Sequence, residues 1–101
     1  AIADFSAAIE INPQHALAFN NRGFAKENLK NIQGAITDYT KAIQIFPKYA
    51  DAYVNRGFAQ GKGLGNDKDA CNDFKKAASL GNQNRINWLS SEDGAWCRNM
   101  Q

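Results

Sequence analysis

Apolar residues recur every three or four positions along residues 1–81, which is the spacing of one face of an α-helix. Ala16, Phe19 and Gly23 lie on one such face. A polar interruption at residues 28–31 separates them from a second apolar stripe, which contains Ala35, Tyr39, Ala42, Ile43 and Phe46. The pattern therefore predicts pairs of helices.

Residues that favour helix ends lie between the stripes. Asn31 is the expected N-cap of the second helix, and Pro47 is its expected end. In the next stretch we expect Asn66 or Asp67 to cap a helix that stops at Gly81. The glycine-rich segment 61–65 lies where another helix should end, and it predicts early fraying there.

The sequence also repeats itself. An offset of 34 places residues 16–25 over residues 50–59, and seven of these ten positions are identical. An offset of 35 then carries residues 35–42 onto residues 70–77. One residue has therefore been inserted within residues 60–69.

Two glycines recur inside the predicted helices, at Gly23 and Gly57. Glycine in a helix interior costs about 1 kcal/mol relative to alanine. Because both units accept this cost at the same place, we predict that a neighbouring helix passes too close for a Cβ atom.

A fixed order of aromatic, glycine, alanine, aromatic, alanine and proline is found at Phe19, Gly23, Ala35, Tyr39, Ala42 and Pro47. This order resembles the tetratricopeptide repeat (TPR), a helix pair of about 34 residues. The resemblance implies an all-α fold, a right-handed α-solenoid of antiparallel helix pairs. It divides the chain into the second helix of a truncated repeat (1–15), a complete repeat (16–49), a repeat with the insertion (50–82), and a capping helix with a tail (83–101).

The chain departs from the TPR pattern in several places. Arg22 and Arg56 stand where the family usually has leucine, and we expect them to cover a helix interface with their charged ends in water. Trp88 falls 35 residues after Tyr53, at the opening aromatic of a further repeat, but the expected glycine and alanine do not follow. We therefore expect a short capping helix from Arg85 to about residue 90.

Resemblance to the family implies that the first helices of successive pairs line a concave groove that holds an extended peptide or a partner helix. The groove residues are then Asn20, Asn21, Phe24, Asn28, Asn55, Phe58 and Lys62. A carboxamide offers both a donor and an acceptor to a peptide backbone, and the phenylalanines add apolar contact. The family's basic clamp for a terminal carboxylate looks absent, because no basic residue stands at Leu17, Asn20, Asp51 or Val54.

Alternatives stay open for these residues. Asn21 and Asn55 can instead bond the adjacent helix, and Phe24 and Phe58 can pack between neighbouring first helices as ordinary core. The sequence pattern does not decide between these roles and groove contact.

Charge and length narrow the classes of function. The chain has 101 residues and a net charge of +2, with basic residues scattered along its length, so we expect no nucleic-acid partner. No apolar run reaches the ~18–20 residues of a membrane span, so we expect a soluble module without a membrane partner. The start at Ala1, with neither Met nor a leader, leads us to expect a piece of a longer array whose compartment is unknown.

Candidate chemistry is sparse. Cys71, Cys97 and His15 carry no catalytic motif and are too few for a zinc site, so we expect neither an enzyme nor a cofactor. Segment 61–65 lacks the spacing and the Lys-Ser/Thr pair of a phosphate loop and is interpreted as a turn. If the tail folds back in an oxidising compartment, Cys71 and Cys97 are a candidate disulfide, and otherwise they are two reduced thiols.

These observations predict a non-catalytic module for protein or peptide interaction. The alternative is a structural or self-association segment of a longer array with no peptide ligand of its own. Its basis is the apolar stripe of Ile2, Phe5 and Ile9 in the unpaired first helix, which invites a second copy of the chain or upstream repeats.

Overall fold

A computed structural model describes residues 1–100, and within that range it is all-helical, as predicted. The elements are α1 (Ile2–Ile11), α2 (Ala16–Asn28), α3 (Ile32–Ile45), α4 (Ala50–Phe58), a π-helical turn (Ala59–Gly63), α5 (Asp67–Ser79), α6 (Gln83–Ser90) and α7 (Ala95–Arg98). Consecutive helices pack on one another to form an elongated α-solenoid of helix pairs that measures 43 × 26 × 19 Å.

The ends of α3 and α5 agree with those predicted from the capping residues. The Asn31 side chain accepts a hydrogen bond from the backbone N–H of Gly34 (3.1 Å) and caps α3. Asn66 is the N-cap residue of α5, and Gly81 follows this helix with a φ of 96°, in the left-handed region that favours glycine. In the tail, Asn82 caps α6 by accepting from the N–H of Arg85 (3.0 Å), so this helix begins two residues before the predicted start.

The one-residue insertion lies in the π-helical turn that continues α4. A π turn holds one more residue than an α turn, so it absorbs the extra residue without ending the helix. The expectation of early fraying at segment 61–65 is therefore wrong, because helical backbone extends to Gly63. The chain returns to register at once: Lys30 and Gly65, which are 35 residues apart, both adopt a positive φ before the next helix.

Small residues and rings fill the space between helix pairs. One buried cluster contains Phe19, Ala42 and Ala52, and a second contains Ala35, Tyr39 and Ala59. A Cβ atom on Gly23 would lie 2.7 Å from Cε1 of Tyr39, and one on Gly57 would lie 2.6 Å from Cε1 of Phe74. The predicted close approach at both glycines is confirmed.

Two arginines connect three helices each. Arg22 donates from Nε and Nη2 to the two carboxylate oxygens of Asp38 (2.9 and 2.8 Å) and from Nη1 to the hydroxyl of Ser6 (3.2 Å). Arg56 repeats this geometry on Asp73 (2.9 and 2.8 Å) and on Thr40 (3.3 Å). The expectation that their charged ends lie in water is wrong, because each meets a buried aspartate on the second helix of its own pair.

A disulfide holds the tail against the last helix pair. It joins Cys71 on α5 to Cys97 on α7, with Cα atoms 5.2 Å apart, and both residues are buried. A Cβ atom on Gly94 would collide with the carbonyl oxygen of Trp88, so only glycine fits where the chain turns from α6 into α7. The tail thus covers the end of the stack.

Candidate functional site

The exposed face of α2 contains four of the residues of interest at spacings of four, three and four: Leu17, Asn21, Phe24 and Asn28. Leu17 and Phe24 each expose 54% of their surface, and Asn28 is exposed as well. Asn21 is half-buried, and its side chain makes no hydrogen bond within residues 1–100. This stripe, which we call the α2 stripe, combines two exposed apolar side chains with a free carboxamide.

Asn20 and Asn55 hold α2 and α4 together rather than facing a ligand. The amide of Asn55 donates to Oδ1 of Asn20 (3.1 Å), and Asn20 is only 7% exposed. For Asn55 the structure shows the alternative role, a bond to the adjacent helix. The placement of Asn20 in the groove is not what the structure shows, because this residue is buried where the two helices approach. Burial, followed by the charge of Asp51, raises the pKa of neighbouring Tyr49.

Phe58 and Lys62 belong to the C-terminal end of the molecule. The Phe58 ring packs edge-on against Phe74, with centroids 5.0 Å apart, and Nζ of Lys62 lies 5.2 Å from the Phe58 centroid. Phe58 therefore packs on the second helix of its own pair, whereas its counterpart Phe24 is exposed. Lys62 keeps an exposed position.

A cavity of about 370 Å³ lies beside Phe58. It exists because α6 ends after 8 residues, whereas the preceding first helix with its π turn continues over residues 50–63. The space of the missing half-helix is bounded by Phe58, Lys62, Phe74, Arg85, Trp88 and Trp96, among others. Sequence reasoning missed Arg85 and Trp96 as site residues, although the incomplete repeat that begins near Trp88 is the signal that a helix ends early.

Arg85 is the charged centre of this cavity. Its guanidinium carbon lies 5.1, 5.0 and 5.1 Å from the ring centroids of Phe58, Phe74 and Trp88. Burial lowers the pKa of Arg85. The three rings attract the cation, but they do not supply acceptors for its N–H groups.

Among residues 1–100, no three His, Cys, Asp or Glu side chains converge in a way that could hold a metal ion. None of the helices in this range combines the length and the apolar character needed to cross a bilayer. His15 has a structural role, because its Nδ1 accepts the N–H of Ala18 (3.2 Å) at the start of α2.

Comparison with known proteins gives one family. The family model described as a TPR repeat matches residues 28–63. Similar solved structures include the TPR domain of Arabidopsis OM64, which is 31% identical, has a TM-score of 0.79, and is matched over 97% of this chain and 74% of its own. No curated protein matches the sequence significantly.

A second similar structure contains a ligand. The second TPR domain of human RPAP3, solved by NMR in complex with the HSP70 peptide SGPTIEEVD, is 25% identical, with a TM-score of 0.79 over 98% of this chain and 79% of its own. The fold of this chain is thus one that serves as a protein-interaction module in a structure of the same architecture.

Proposed function

Because the chain belongs to the tetratricopeptide repeat family, we propose that it is a non-catalytic interaction module that holds an extended peptide segment along the α2 stripe. The observation that carries this proposal is the pair of exposed apolar side chains, Leu17 and Phe24, on either side of the unbonded carboxamide of Asn21. An extended backbone presents N–H and C=O groups in alternation, and Asn21 can pair with one of each.

The other groove residues have supporting roles in this proposal. The bond between Asn20 and Asn55 fixes α4 beside α2, so the stripe keeps one shape when the ligand docks. Asn28 extends the stripe toward the end of α2. Phe58 and Lys62 line the neighbouring cavity and contact a peptide only if it continues past α4.

The ligand should be less acidic than the HSP70 peptide bound to RPAP3. Asp51 is exposed on α4, and neither Leu17 nor Asn20 on α2 supplies a positive charge for a row of carboxylates. We expect apolar and neutral polar side chains in the segment that this groove selects. The peptide SGPTIEEVD itself should bind weakly.

A randomised peptide display library tests the proposal. Enriched peptides are synthesised, and their affinity is measured by fluorescence anisotropy for the wild type, Asn21→Ala and Phe24→Ala. We expect a loss of about tenfold or more for Phe24→Ala, since truncating a central aromatic anchor typically costs more than 1 kcal/mol of binding energy. Phe46→Ala is the matched control, because Phe46 is also an exposed phenylalanine but is the C-cap residue of α3 and not part of the α2 stripe. Peptides that bind both α2 variants as tightly as the wild type would refute this site.

A structural role in a longer array is the second candidate, and α1 favours it. Ile9 of α1 packs against the core cluster that contains Phe19, but Ile2, Phe5 and Ile9 all stay partly exposed, and none of the residues of α1 is buried. Sedimentation velocity over a range of micromolar concentrations should then show reversible association that Phe5→Glu abolishes. A monomer at all concentrations would exclude association through this helix.

A further inference from the structure

Three arginines of this chain lie against aromatic rings. The guanidinium carbon of Arg22 is 5.4 Å from the Phe19 centroid, and that of Arg56 is 5.5 Å from the Tyr53 centroid. Both of these arginines also bind an aspartate through two parallel hydrogen bonds. Ring contact and a carboxylate in the plane of the guanidinium therefore occur together.

Arg85 has the rings without the carboxylate. Three ring centroids lie within 5.1 Å of its guanidinium carbon, yet no side-chain N–H of Arg85 donates to any group within residues 1–100. Its Nε is fully buried and has no partner in the same range, so a ligand in the cavity can reach only the outer nitrogens Nη1 and Nη2. A partly desolvated guanidinium without an acceptor is costly, and a carboxylate is the acceptor that fits its geometry best.

The surroundings of Arg85 suit a ligand with an apolar body. The cavity volume of about 370 Å³ is within the range of small-molecule sites, and aromatic side chains form much of its wall. Lys62 adds a second cation at the rim. Asp67 and Asp93 also line the cavity, but neither forms an ion pair with Arg85 or Lys62 in the described part of the chain. These two carboxylates make a ligand with several negative charges unfavourable.

We propose that this cavity binds the carboxylate of a small apolar molecule or of an apolar peptide end, with the carboxylate paired to the outer nitrogens of Arg85 and the apolar body against Trp88 and Trp96. The cavity contains no residue of the α2 stripe, since it is formed by α4, the π turn, α5, α6 and the residues after α6. Binding at this cavity can therefore be tested separately from peptide binding at the α2 stripe.

The two tryptophans of the chain provide the readout, because both line the cavity and no other tryptophan contributes to the fluorescence. Phenylbutyrate and its neutral analogue phenylbutyramide have nearly the same shape and differ in charge. Titrated into the wild-type protein, phenylbutyrate should change the emission saturably, and the amide should bind at least tenfold more weakly. This comparison needs no variant and so does not depend on the folding of one.

Variants then assign the contact. Arg85→Gln should reduce the affinity for phenylbutyrate at least tenfold, and Arg85→Lys, which keeps the charge but loses the planar fork, should reduce it by less. Asp93→Asn removes a competing carboxylate and should raise the affinity. Lys76→Gln is the control: Lys76 is exposed on α5, forms no ion pair within residues 1–100 and does not line the cavity, so its loss should change nothing.

One dipeptide, compared with phenylbutyrate, distinguishes the sources of the carboxylate. Acetyl-Leu-Phe with a free carboxylate, if it binds tighter than phenylbutyrate, assigns the site to a peptide end, and the reverse order assigns it to a small molecule. Equal binding of phenylbutyrate and phenylbutyramide, no saturable binding of any carboxylate, or full affinity in folded Arg85→Gln would each overturn the proposal.

Discussion

In the middle unit, residues 16–49, Phe24 projects from α2 into open space, whereas in the last unit, residues 50–82, its counterpart Phe58 packs against Phe74 and faces Arg85. The two phenylalanines have the same place in the repeat. What differs is the helix that follows each unit. The helix after the middle unit begins with Ala50, whose side chain is too short to reach Phe24. The corresponding residue after the last unit, 35 positions later in the sequence, is Arg85, which lies over Phe58.

Residues at the same position of two repeats can therefore have different roles. Phe58, at the position of the exposed Phe24, packs on Phe74 and forms part of a cavity wall. The same holds for the ring that lies against the helix glycine, which is Tyr39 in the middle unit and Phe74 in the last. Tyr39 is fixed by a hydrogen bond from its hydroxyl to Glu27 (2.8 Å), while Phe74 borders the cavity.

The largest difference between the units should come from the disulfide, which only the last unit has. Closing a loop across the 26 positions between Cys71 and Cys97 stabilises the fold by about 3.5 kcal/mol in the chain-entropy description. Reduction should lower the free energy of unfolding by about this amount, measured by urea denaturation with and without a reductant. Hydrogen exchange should accelerate first in α5 to α7, and equal acceleration in α2 and α3 would contradict the assignment to the last unit.

The second-largest loss of stability should come from replacing the buried aspartates, Asp38 and Asp73. Asp38→Asn removes the partner of Arg22 and should cost about 3 kcal/mol of unfolding free energy. Asp38 also forms an ion pair with Lys26 (3.0 Å), whereas the residue at the corresponding position in the last unit is the neutral Gln60, so Asp73→Asn should cost less, by about 0.5–1 kcal/mol. Thermal and urea unfolding of both variants measure the difference. Asp51→Asn, at an exposed aspartate without an ion pair, should change stability by less than about 0.5 kcal/mol.

Replacing the helix glycines, Gly23 and Gly57, with alanine should also affect the stability of the two units differently. Alanine at either glycine gains about 1 kcal/mol of helix propensity but overlaps a ring. Gly23→Ala should cost about 2 kcal/mol net, because Tyr39 is fully buried and held by Glu27. Gly57→Ala should cost about 1 kcal/mol or less, because Phe74 can move into the cavity. Denaturant unfolding decides the order, and equal costs would mean that the cavity gives Phe74 no freedom.

An effect about as small as that of Gly57→Ala should come from making the middle unit like the last through Tyr39→Phe. Loss of the bond to Glu27 should cost about 1 kcal/mol at neutral pH, since the partly exposed Glu27 can be hydrated instead. Burial and, after it, this bond raise the pKa of Tyr39 above its usual value of about 10. The protonated hydroxyl therefore contributes stability that is complete below pH 10 and is lost as the pH rises further. The wild type should lose stability above pH 10 more steeply than Tyr39→Phe, and parallel curves would show that Tyr39 is not the group involved.

Much of the scaffold followed from local sequence features. Asn31 and Gly81 predicted their helix ends, because capping depends on a few neighbouring backbone groups. Gly23 and Gly57 predicted close packing, because the cost of glycine has to be offset at the same place in each unit. The ion pairs had a visible signal too, since Arg22 with Asp38 recurs as Arg56 with Asp73.

The contacts in the candidate sites could not be predicted from the sequence pattern, because they depend on how the helix pairs and the tail are arranged in space. Asn20 lies at the edge between two faces of α2, and the angle between successive helix pairs decides whether it meets Asn55 or solvent. Likewise, the path of the tail determines where Trp96 lies and whether Cys97 reaches Cys71. The contact of Arg85 with three rings depends on how α6 packs across α4 and α5.

The π turn at Ala59–Gly63 bears on how such arrays change over generations. An added residue that is taken up inside a turn leaves the contacts before it and after it in place: Gly57 still meets Phe74, and Asn66 still begins the next helix. An insertion at the end of a first helix can thereby leave the packing of the neighbouring helices unchanged. Copies of the repeat can drift in length at this point without losing the fit to their neighbours.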